Sequence, residues 1–240
     1  MHMDRIMTTT DTRTEFLSGL KAIAPIIVAA MPIGLVCGAV AATKGLSPLE
    51  ATLMSALVFA GGAQFVALDL WTHPASWAAL GFAALLVNLR HVLMGASLSR
   101  KMGAFPPAAK YLGALVMADE NWAMAEARAN RAPLTPAYYL GLSALFYANW
   151  ILCTWAGSVL GAFLGDPAVI GLDFAFPAVF IVLVMGFWKG PATGAVLLAS
   201  ALASIATHHY VEGAWYIAAG AVAGLAAALV AGRFNRVSIA

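Results

Sequence analysis

Residues 20–43 read LKAIAPIIVAAMPIGLVCGAVAAT, an apolar run in which Lys21 is the one charged residue. A helix needs roughly 20 apolar residues to cross the hydrocarbon core of a bilayer, so this run is long enough for one span. The apolar core is not short and no small-residue cleavage site follows it, so we expect a retained first span and not a removed signal peptide. The run therefore predicts a membrane protein.

The composition of the whole chain agrees with this prediction. Of 240 residues, 62% are hydrophobic and only 10% are charged, whereas a soluble domain carries roughly 25% charged residues. The formal net charge of +2 and the lack of a basic run give no indication of a nucleic-acid partner. Cys37 and Cys153 each lie inside an apolar run and form no CxxC pair, so we expect neither a disulfide framework nor a metal site.

Seven apolar runs are long enough to cross a membrane, and helices satisfy their own backbone groups in lipid. We therefore predict an all-α polytopic membrane protein with seven transmembrane helices, or eight if the central segment 110–128 also crosses. That segment, KYLGALVMADENWAMAEAR, is interrupted by acidic residues and is an eighth span, a re-entrant helix or an amphipathic surface helix. The seven runs are 20–43, 49–71, 75–99, 136–164, 171–188, 191–208 and 213–232.

The distribution of Lys and Arg favours seven spans by a small margin. With an external N-terminus, seven spans place nine basic residues inside and three outside, among them Arg13 on the outside and Arg100 on the inside. Eight spans with an internal N-terminus give eight against four. The chain then divides into a polar N-terminal segment, a first transmembrane repeat, a central loop with its amphipathic or re-entrant helix, a second repeat, and a final helix with a basic tail: 1–19, 20–99, 100–135, 136–210 and 211–240.

A faint internal repeat connects the two halves. A shift of 119 residues lays Gly38 over Gly157 and Pro48 over Pro167. Three spans per half, with seven in total, would make the halves an inverted repeat of three-helix units, as in many secondary transporters. Small residues also recur at every fourth position, which predicts close helix packing in lipid; these stripes are Ala30, Gly34, Gly38 and Ala42, then Gly157, Gly161 and Gly165, then Gly220 and Gly224.

The polar residues inside the apolar runs are the candidate functional residues. Asn88, Arg90 and His91 lie in LLVNLRHVLMG. Arg90 lies about 22 Å from one end of its run and about 13 Å from the other, too deep to reach water easily. An ionisable side chain at that depth marks a transport pathway or is held by an internal salt bridge. We predict that Arg90 comes within ion-pair distance of Asp119 or Glu120.

Two further clusters accompany the first. In FAGGAQF, adjacent Gly61 and Gly62 can open the helix beside Gln64, so that backbone groups meet a zwitterionic ligand, or they simply let two helices cross closely. In MADENW, the residues Asp119, Glu120 and Asn121 could pair with Arg90 or His91, bind an ammonium group or carry a proton, or else form an exposed loop end.

The chain resembles the AzlC family, the large subunits of branched-chain amino acid exporters. The resemblance is carried by AxPIGLVCGAVAATKGLSPLEATLMSALVFAGGAQF from Ala30, by VNLRHVLMG from Val87 and by the acidic pair Asp119-Glu120. Asn121-Trp122 departs from the small hydroxyl residue and phenylalanine that we expect there. The resemblance implies export of leucine, isoleucine, valine and methionine across the bacterial inner membrane, driven by the proton gradient, with a small membrane partner of the AzlD type.

Other classes of function stay open at this point. They are a channel or permease for another small solute, an intramembrane enzyme, and a scaffold subunit. The sequence contains no GxSxG, no HExxH and no Walker A motif, so we expect no catalytic residues, no metal and no cofactor.

Overall fold

A computed structural model describes residues 11–161, 190–211 and 213–237, together with single positions between 163 and 188. The described residues are helical and include no strand, which confirms the predicted all-α class. The predicted span 171–188 lies outside the continuously described residues. The chain divides into two compact units, Met1–Gly61 with Leu89–Gly165 and Gly62–Asn88 with Asp166–Ala240, which are described separately below.

The helices of the described residues are α1 (Thr12–Thr43), α2 (Pro48–Leu57), α3 (Gly61–Asp69), α4 (Trp77–Ser99), α5 (Pro107–Leu115), α6 (Asp119–Ala129), α7 (Pro136–Gly161), α8 (Pro191–Tyr210) and α9 (Trp215–Val237). Five stretches are long and apolar enough to cross a membrane: the whole of α1, α4, α7 and α8, and Trp215–Gly232 of α9. The predicted run 49–71 is not one continuous helix, because it is interrupted between α2 and α3.

Helices α1 and α7 form the centre of the first unit. A Cβ placed on Gly38 would lie 2.0 Å from the Thr154 carbonyl oxygen, and one on Gly157 would lie 2.0 Å from that of Leu35. Near the start of both helices, a Cβ on Gly141 would lie 2.3 Å from the Phe16 carbonyl oxygen. Gly38 and Gly157, which belong to the first two predicted stripes, therefore let the two backbones touch, as expected, whereas Gly165 lies outside the described residues.

The contacts between α1 and α7 also determine their relative direction. Residues near the start of α1 meet the start of α7, and residues near its end meet the end of α7, so the two helices run parallel. In an inverted repeat related by the 119-residue shift, they would run antiparallel. The parallel direction shows that this inversion is wrong for α1 and α7. Among the described residues, α4 is the one candidate span between them, and a single crossing between two spans leaves those spans parallel.

The run 49–71 begins as α2, which runs antiparallel to α7 and stops beside its middle. Ser47 caps α2 reciprocally with Glu50, and the helix ends at Leu57. The Tyr147 hydroxyl donates to the Ala56 carbonyl oxygen at 2.8 Å. The ring of Phe59, in the interruption, packs edge-on against the Tyr147 ring with centroids 4.8 Å apart. Helix α3 then begins at Gly61.

The central segment 110–128 is part of a helical hairpin. Helix α5 runs parallel to α7, so that the Tyr139 hydroxyl meets the Gly113 carbonyl oxygen at 2.9 Å. The chain turns at 116–118 beside Ser143, and α6 returns until Arg128 lies 4.8 Å from the Tyr138 ring centroid. Because the hairpin enters and leaves at the end where α7 begins, the re-entrant alternative describes it best.

The two interruptions are related in sequence and in conformation. Residues 56–60 read ALVFA and residues 114–118 read ALVMA, 58 residues later. Val58 follows α2 with φ −111° and ψ 10°, and Val116 follows α5 with φ −103° and ψ 21°. The two interruptions therefore share a sequence pattern and a backbone conformation, although α2 and α5 run in opposite directions along α7.

The charges of the first unit are concentrated at the end where α1 and α7 begin, which we call the basic end. An ion pair joins Glu15 to Arg128 there, and Lys101 pairs with Glu126. The predicted seven-span arrangement placed Arg13 and Arg100 on opposite sides of the membrane, and this separation is wrong, because both residues lie at this end. The basic end carries Arg13, Arg100, Lys101, Lys110, Arg128 and Arg131, whereas Lys44 follows the opposite end of α1.

The second unit is centred on the antiparallel pair of α8 and α9. A Cβ on Gly220 would lie 2.1 Å from the Ser204 hydroxyl oxygen, so the third predicted stripe also serves helix packing. The same Ser204 hydroxyl donates to the Tyr216 carbonyl oxygen at 3.0 Å. Phe82 of α4 packs against Trp215 with ring centroids 4.9 Å apart.

Candidate functional site

The first unit contains the ion pair that the depth of Arg90 predicted. Arg90 Nη1 lies 2.7 Å from Asp119 Oδ2, and each side chain is 41% exposed. Asp119 is the first residue of α6, directly after the 116–118 turn. The predicted pairing is therefore confirmed, and it brings one cation and one anion together where the hairpin turns.

This ion pair belongs to a set of contacts that joins α4 to α6 in parallel. Ser97 Oγ donates to Glu126 Oε1 at 2.6 Å, and Lys101 Nζ donates to Asn130 Oδ1 at 3.0 Å. Like Arg90 and Asp119, each of these pairs is separated by 29 residues. Lys101 Nζ also pairs with Glu126 Oε2. The constant separation shows that the two helices keep one register over three turns.

The two ion pairs between α4 and α6 differ in how completely their polar atoms are hydrogen-bonded. Burial disfavours the ionised form of Glu126, but hydrogen bonds from Lys101 and Ser97 outweigh this effect and hold the pKa of its carboxyl below the usual range. Both Glu126 oxygens have donors, and its side chain is 15% exposed. At the other pair, Arg90 Nε is buried without a hydrogen-bond partner among the described residues. The Arg90–Asp119 pair is therefore less completely hydrogen-bonded than the Lys101–Glu126 pair.

Asn121 is fully buried and supports the turn of the hairpin. Its Nδ2 donates to the Val116 carbonyl oxygen at 2.7 Å and to Ser143 Oγ at 3.0 Å. Its Oδ1 accepts the Ala118 amide at 2.8 Å. These three bonds connect both sides of the interruption and attach it to α7, so the geometry gives Asn121 the role of positioning Asp119.

The other predicted residues of the first unit lie around the two turns. Glu120 is partly buried and adjoins Asp119, and His91 follows Arg90 on α4. Gly61 starts α3, where a Cβ would lie 2.9 Å from the Trp150 ring. The absence of a side chain there therefore makes room for Trp150, which is the packing alternative for this glycine.

The remaining predicted residues, Gly62, Gln64 and Asn88, belong to the second unit. Gln64 is buried, with 1% exposure. The Asn88 Oδ1 atom is buried and has no hydrogen-bond partner in the described part of the chain. The shift of 58 residues lays Gly61 and Gly62 over Asp119 and Glu120. Two of the clusters chosen from the sequence, FAGGAQF and MADENW, therefore each contain the start of the helix that follows an interruption.

Sequence reasoning missed a buried network at the basic end. Glu15 is 6% exposed and accepts from Arg128 Nη2 at 2.9 and 3.1 Å and from Thr135 Oγ1 at 2.8 Å. The Arg128 guanidinium also stacks over the Tyr138 ring. The network ties the end of α6 to the starts of α1 and α7. No sequence signal marked Glu15, which was placed in the polar N-terminal segment.

Among the residues that the structure describes, no group of three or more His, Cys, Asp or Glu side chains could hold a metal ion. Cys37 and Cys153 are both buried and free, so they form no disulfide.

The candidate spans, the interrupted helices and the Arg90–Asp119 ion pair at the start of α6 define a polytopic helical membrane protein. A family model described as AzlC protein matches residues 25–164, more than half of the chain. The chain belongs to the AzlC family.

Curated relatives agree with this assignment. An uncharacterized membrane protein of Archaeoglobus fulgidus is 29% identical over 78% of this chain and 83% of its own length. Inner membrane protein YgaZ of Escherichia coli strain K12 is 29% identical over 72% of this chain and 74% of its own. Branched-chain amino acid transport protein AzlC of Bacillus subtilis strain 168 is 26% identical over 72% and 68%. No solved structure matches the chain.

Proposed function

We propose that this chain is the larger subunit of a secondary transporter that exports branched-chain amino acids. The substrates are leucine, isoleucine, valine and methionine, the energy comes from the proton gradient, and the location is the bacterial inner membrane. The proposal is supported by the family membership and by the printed name of the Bacillus subtilis relative. The observation that carries it is the Arg90–Asp119 pair at the start of α6.

The pair has the chemistry that a zwitterionic amino acid requires. A guanidinium binds a carboxylate through parallel hydrogen bonds, and the Asp119 carboxylate accepts an ammonium. Without substrate, each group satisfies the other, which offsets the cost of holding a charge inside an apolar protein. A substrate that inserts between them replaces one ion pair by two, so the site needs no uncompensated charge in either state.

Proton coupling is assigned to the groups beside this pair. Glu120 follows Asp119 on α6 and His91 follows Arg90 on α4, so a proton on either residue changes the charge close to the ion pair. A proton on His91 adds a second positive charge next to Arg90 and opposes binding of another cation. A proton on Glu120 removes a negative charge beside Asp119.

The experiment is leucine release from cells loaded with a leucine-containing dipeptide. Cells expressing the chain with a small membrane partner of the AzlD type should release leucine faster than cells with neither. Arg90→Ala and Asp119→Asn should each abolish the difference, while Lys101→Ala, at the saturated pair, should retain most of it. Western blotting of membranes shows that each variant is present. Equal export by wild type, Arg90→Ala and Asp119→Asn would refute the site.

A further inference from the structure

The first unit contains a cavity of about 1100 Å³ between α1, α2, α5 and α7. At the basic end its lining includes Arg13 and Pro136, and at its inner end it includes Ala56, Val116 and Tyr147. From Pro136 to Tyr147 along α7, the cavity extends over about 16 Å at 1.5 Å per residue. Since α7 has 26 residues, the cavity runs from one end of a candidate span to near its middle.

Both helix interruptions meet the inner end of this cavity. The Tyr147 hydroxyl holds the end of α2 through the Ala56 carbonyl, and Ser143 holds the 116–118 turn through Asn121. Tyr139, Ser143 and Tyr147 are spaced four residues apart, so one face of α7 presents three hydroxyl groups to the broken helices. Interrupted helices near mid-membrane form the substrate sites of many transporters.

The walls of the cavity are mainly aliphatic and aromatic. Phe16 of α1, Leu112 of α5 and Leu140 of α7 line it, together with the hydroxyl groups of Ser143 and Tyr147 near the inner end. Sites for small molecules typically enclose roughly 300–1,000 Å³ and are lined by apolar side chains with few polar groups. The cavity is therefore large enough for an amino acid with an aliphatic side chain and some water.

One opening of the cavity, which we call its mouth, lies at the basic end. Asp11, Thr12 and Arg13 are exposed there and line the cavity. Among the described residues of the first unit, six Lys and Arg residues lie at this end, against Lys44 at the other. Loops rich in Lys and Arg stay on the cytoplasmic side of a membrane, so the mouth faces the cytoplasm, the side from which an exporter takes its substrate.

We propose that this cavity is a water-filled vestibule that admits a zwitterion with an aliphatic side chain from the cytoplasm, with Ser143 and Tyr147 at its inner end. The proposal rests on the proposed export function and adds the route and the side of entry. An acyl chain of a membrane lipid shares the aliphatic chemistry of the substrate, but a lipid-filled cavity would exclude water. Access of water therefore distinguishes the two occupants.

The test uses single cysteines in a Cys37→Ala, Cys153→Ala background, co-expressed with the partner subunit. Ala137→Cys places a thiol near the mouth, Ala109→Cys on the α5 wall and Ala56→Cys at the inner end. Leu152→Cys is the matched control on α7, because Leu152 is 62% exposed and does not line the cavity. The probe is a charged, membrane-impermeant methanethiosulfonate, applied separately to inside-out and right-side-out vesicles.

We expect the three cavity cysteines to react in inside-out vesicles alone and Leu152→Cys to stay unmodified in both. Leucine should slow the reaction of Ala56→Cys severalfold, and glutamate should not. Unreactive cavity cysteines in variants that still export leucine would show a lipid-filled cavity, and reaction in right-side-out vesicles would show the opposite orientation. Either result overturns the proposal, as does reaction that leucine leaves unchanged. Lack of leucine export by wild type would instead refute the proposed function, whatever the labelling.

Discussion

Arg90 and Asp119 form the first of three contacts that join α4 to α6 at a constant separation of 29 residues. At the far end of the same register, Lys101 and Glu126 form an ion pair of similar charge but different surroundings. The Glu126 oxygens are both occupied, whereas Arg90 Nε has no partner among the described residues. The Lys101–Glu126 pair therefore holds the helices together, and the Arg90–Asp119 pair is the one that we propose binds the substrate.

Exchanging the charges within each pair should separate these two roles. Lys101→Glu combined with Glu126→Lys restores attraction between α4 and α6, so export should recover from the loss caused by either single change. Arg90→Asp combined with Asp119→Arg also restores attraction, but the carboxylate and ammonium sites change places, and export should stay abolished. Leucine release from dipeptide-loaded cells measures both.

Thermal unfolding of the purified variants provides the control for this comparison. Each single charge reversal should lower the unfolding free energy by about 1–3 kcal/mol, and each double exchange should return most of it. Recovery of export by the Arg90–Asp119 exchange would mean that this pair is structural too.

The buried Glu15 should be more important for stability than for transport. Glu15→Ala leaves the Arg128 guanidinium without its carboxylate partner, and removing one member of a buried pair costs about 3–5 kcal/mol. We expect the unfolding temperature in detergent to fall sharply. Asp11→Ala is the matched control, because Asp11 is an exposed N-cap on the same helix and should cost about 1 kcal/mol. Equal effects of the two changes would contradict the network.

The approach of α1 to α7 should tolerate no added methyl group at Gly38. A Cβ there would lie 2.0 Å from a backbone oxygen, which a side-chain rotation cannot relieve, so the helices must separate. Gly38→Ala should therefore cost at least about 1–3 kcal/mol. Gly81→Ala is the control, since nothing lies within 4 Å of its added Cβ, and it should be neutral or stabilising by about 0.5–1 kcal/mol. Thermal unfolding of both variants tests this difference in stability. Similar stabilities would refute the parallel close packing of α1 and α7.

The candidate site could be predicted in part, because a charged or flexible residue can be recognised within its own apolar run. The depth of Arg90 in an apolar run demands an anionic partner, and Asp119 and Glu120 are acidic residues that interrupt the central segment. The adjacent glycines at 61 and 62 indicated a loosened helix, and the interruption falls directly before them. In both cases, the cost of a polar or flexible residue in lipid identified the residue without any knowledge of the fold.

The arrangement of the helices could not be predicted, because the hydropathy of a run does not show where its helix is interrupted. The run 49–71 is apolar throughout, yet α2 ends at Leu57. That error placed an even number of crossings between α1 and α7 and so produced the wrong inversion. The similar segments ALVFA and ALVMA were the missed signal, since each contains a helix interruption and they lie 58 residues apart. The hydrogen bond from Asn121 to Ser143 was not predicted either, because it joins residues that are 22 positions apart in the sequence.

Protonation of His91 should control the pH dependence of export. Histidine changes charge near neutral pH, and a charged imidazole beside Arg90 weakens binding of the substrate ammonium and strengthens that of its carboxylate. His91→Gln should therefore flatten the pH profile of leucine export and leave the preference among leucine, isoleucine and valine unchanged. A changed preference with an unchanged pH profile would make His91 a binding residue and refute its role in coupling.

The most direct measurement is uptake of radiolabelled leucine by proteoliposomes that contain the purified chain with its partner and an excess of unlabelled leucine inside. Wild type and Lys101→Ala should accumulate label by exchange, and excess isoleucine outside should suppress it. Arg90→Ala and Asp119→Asn, reconstituted at equal density, should show only the leak of empty liposomes. Exchange by both of these variants at the wild-type rate would contradict the claim that the Arg90–Asp119 pair binds the substrate.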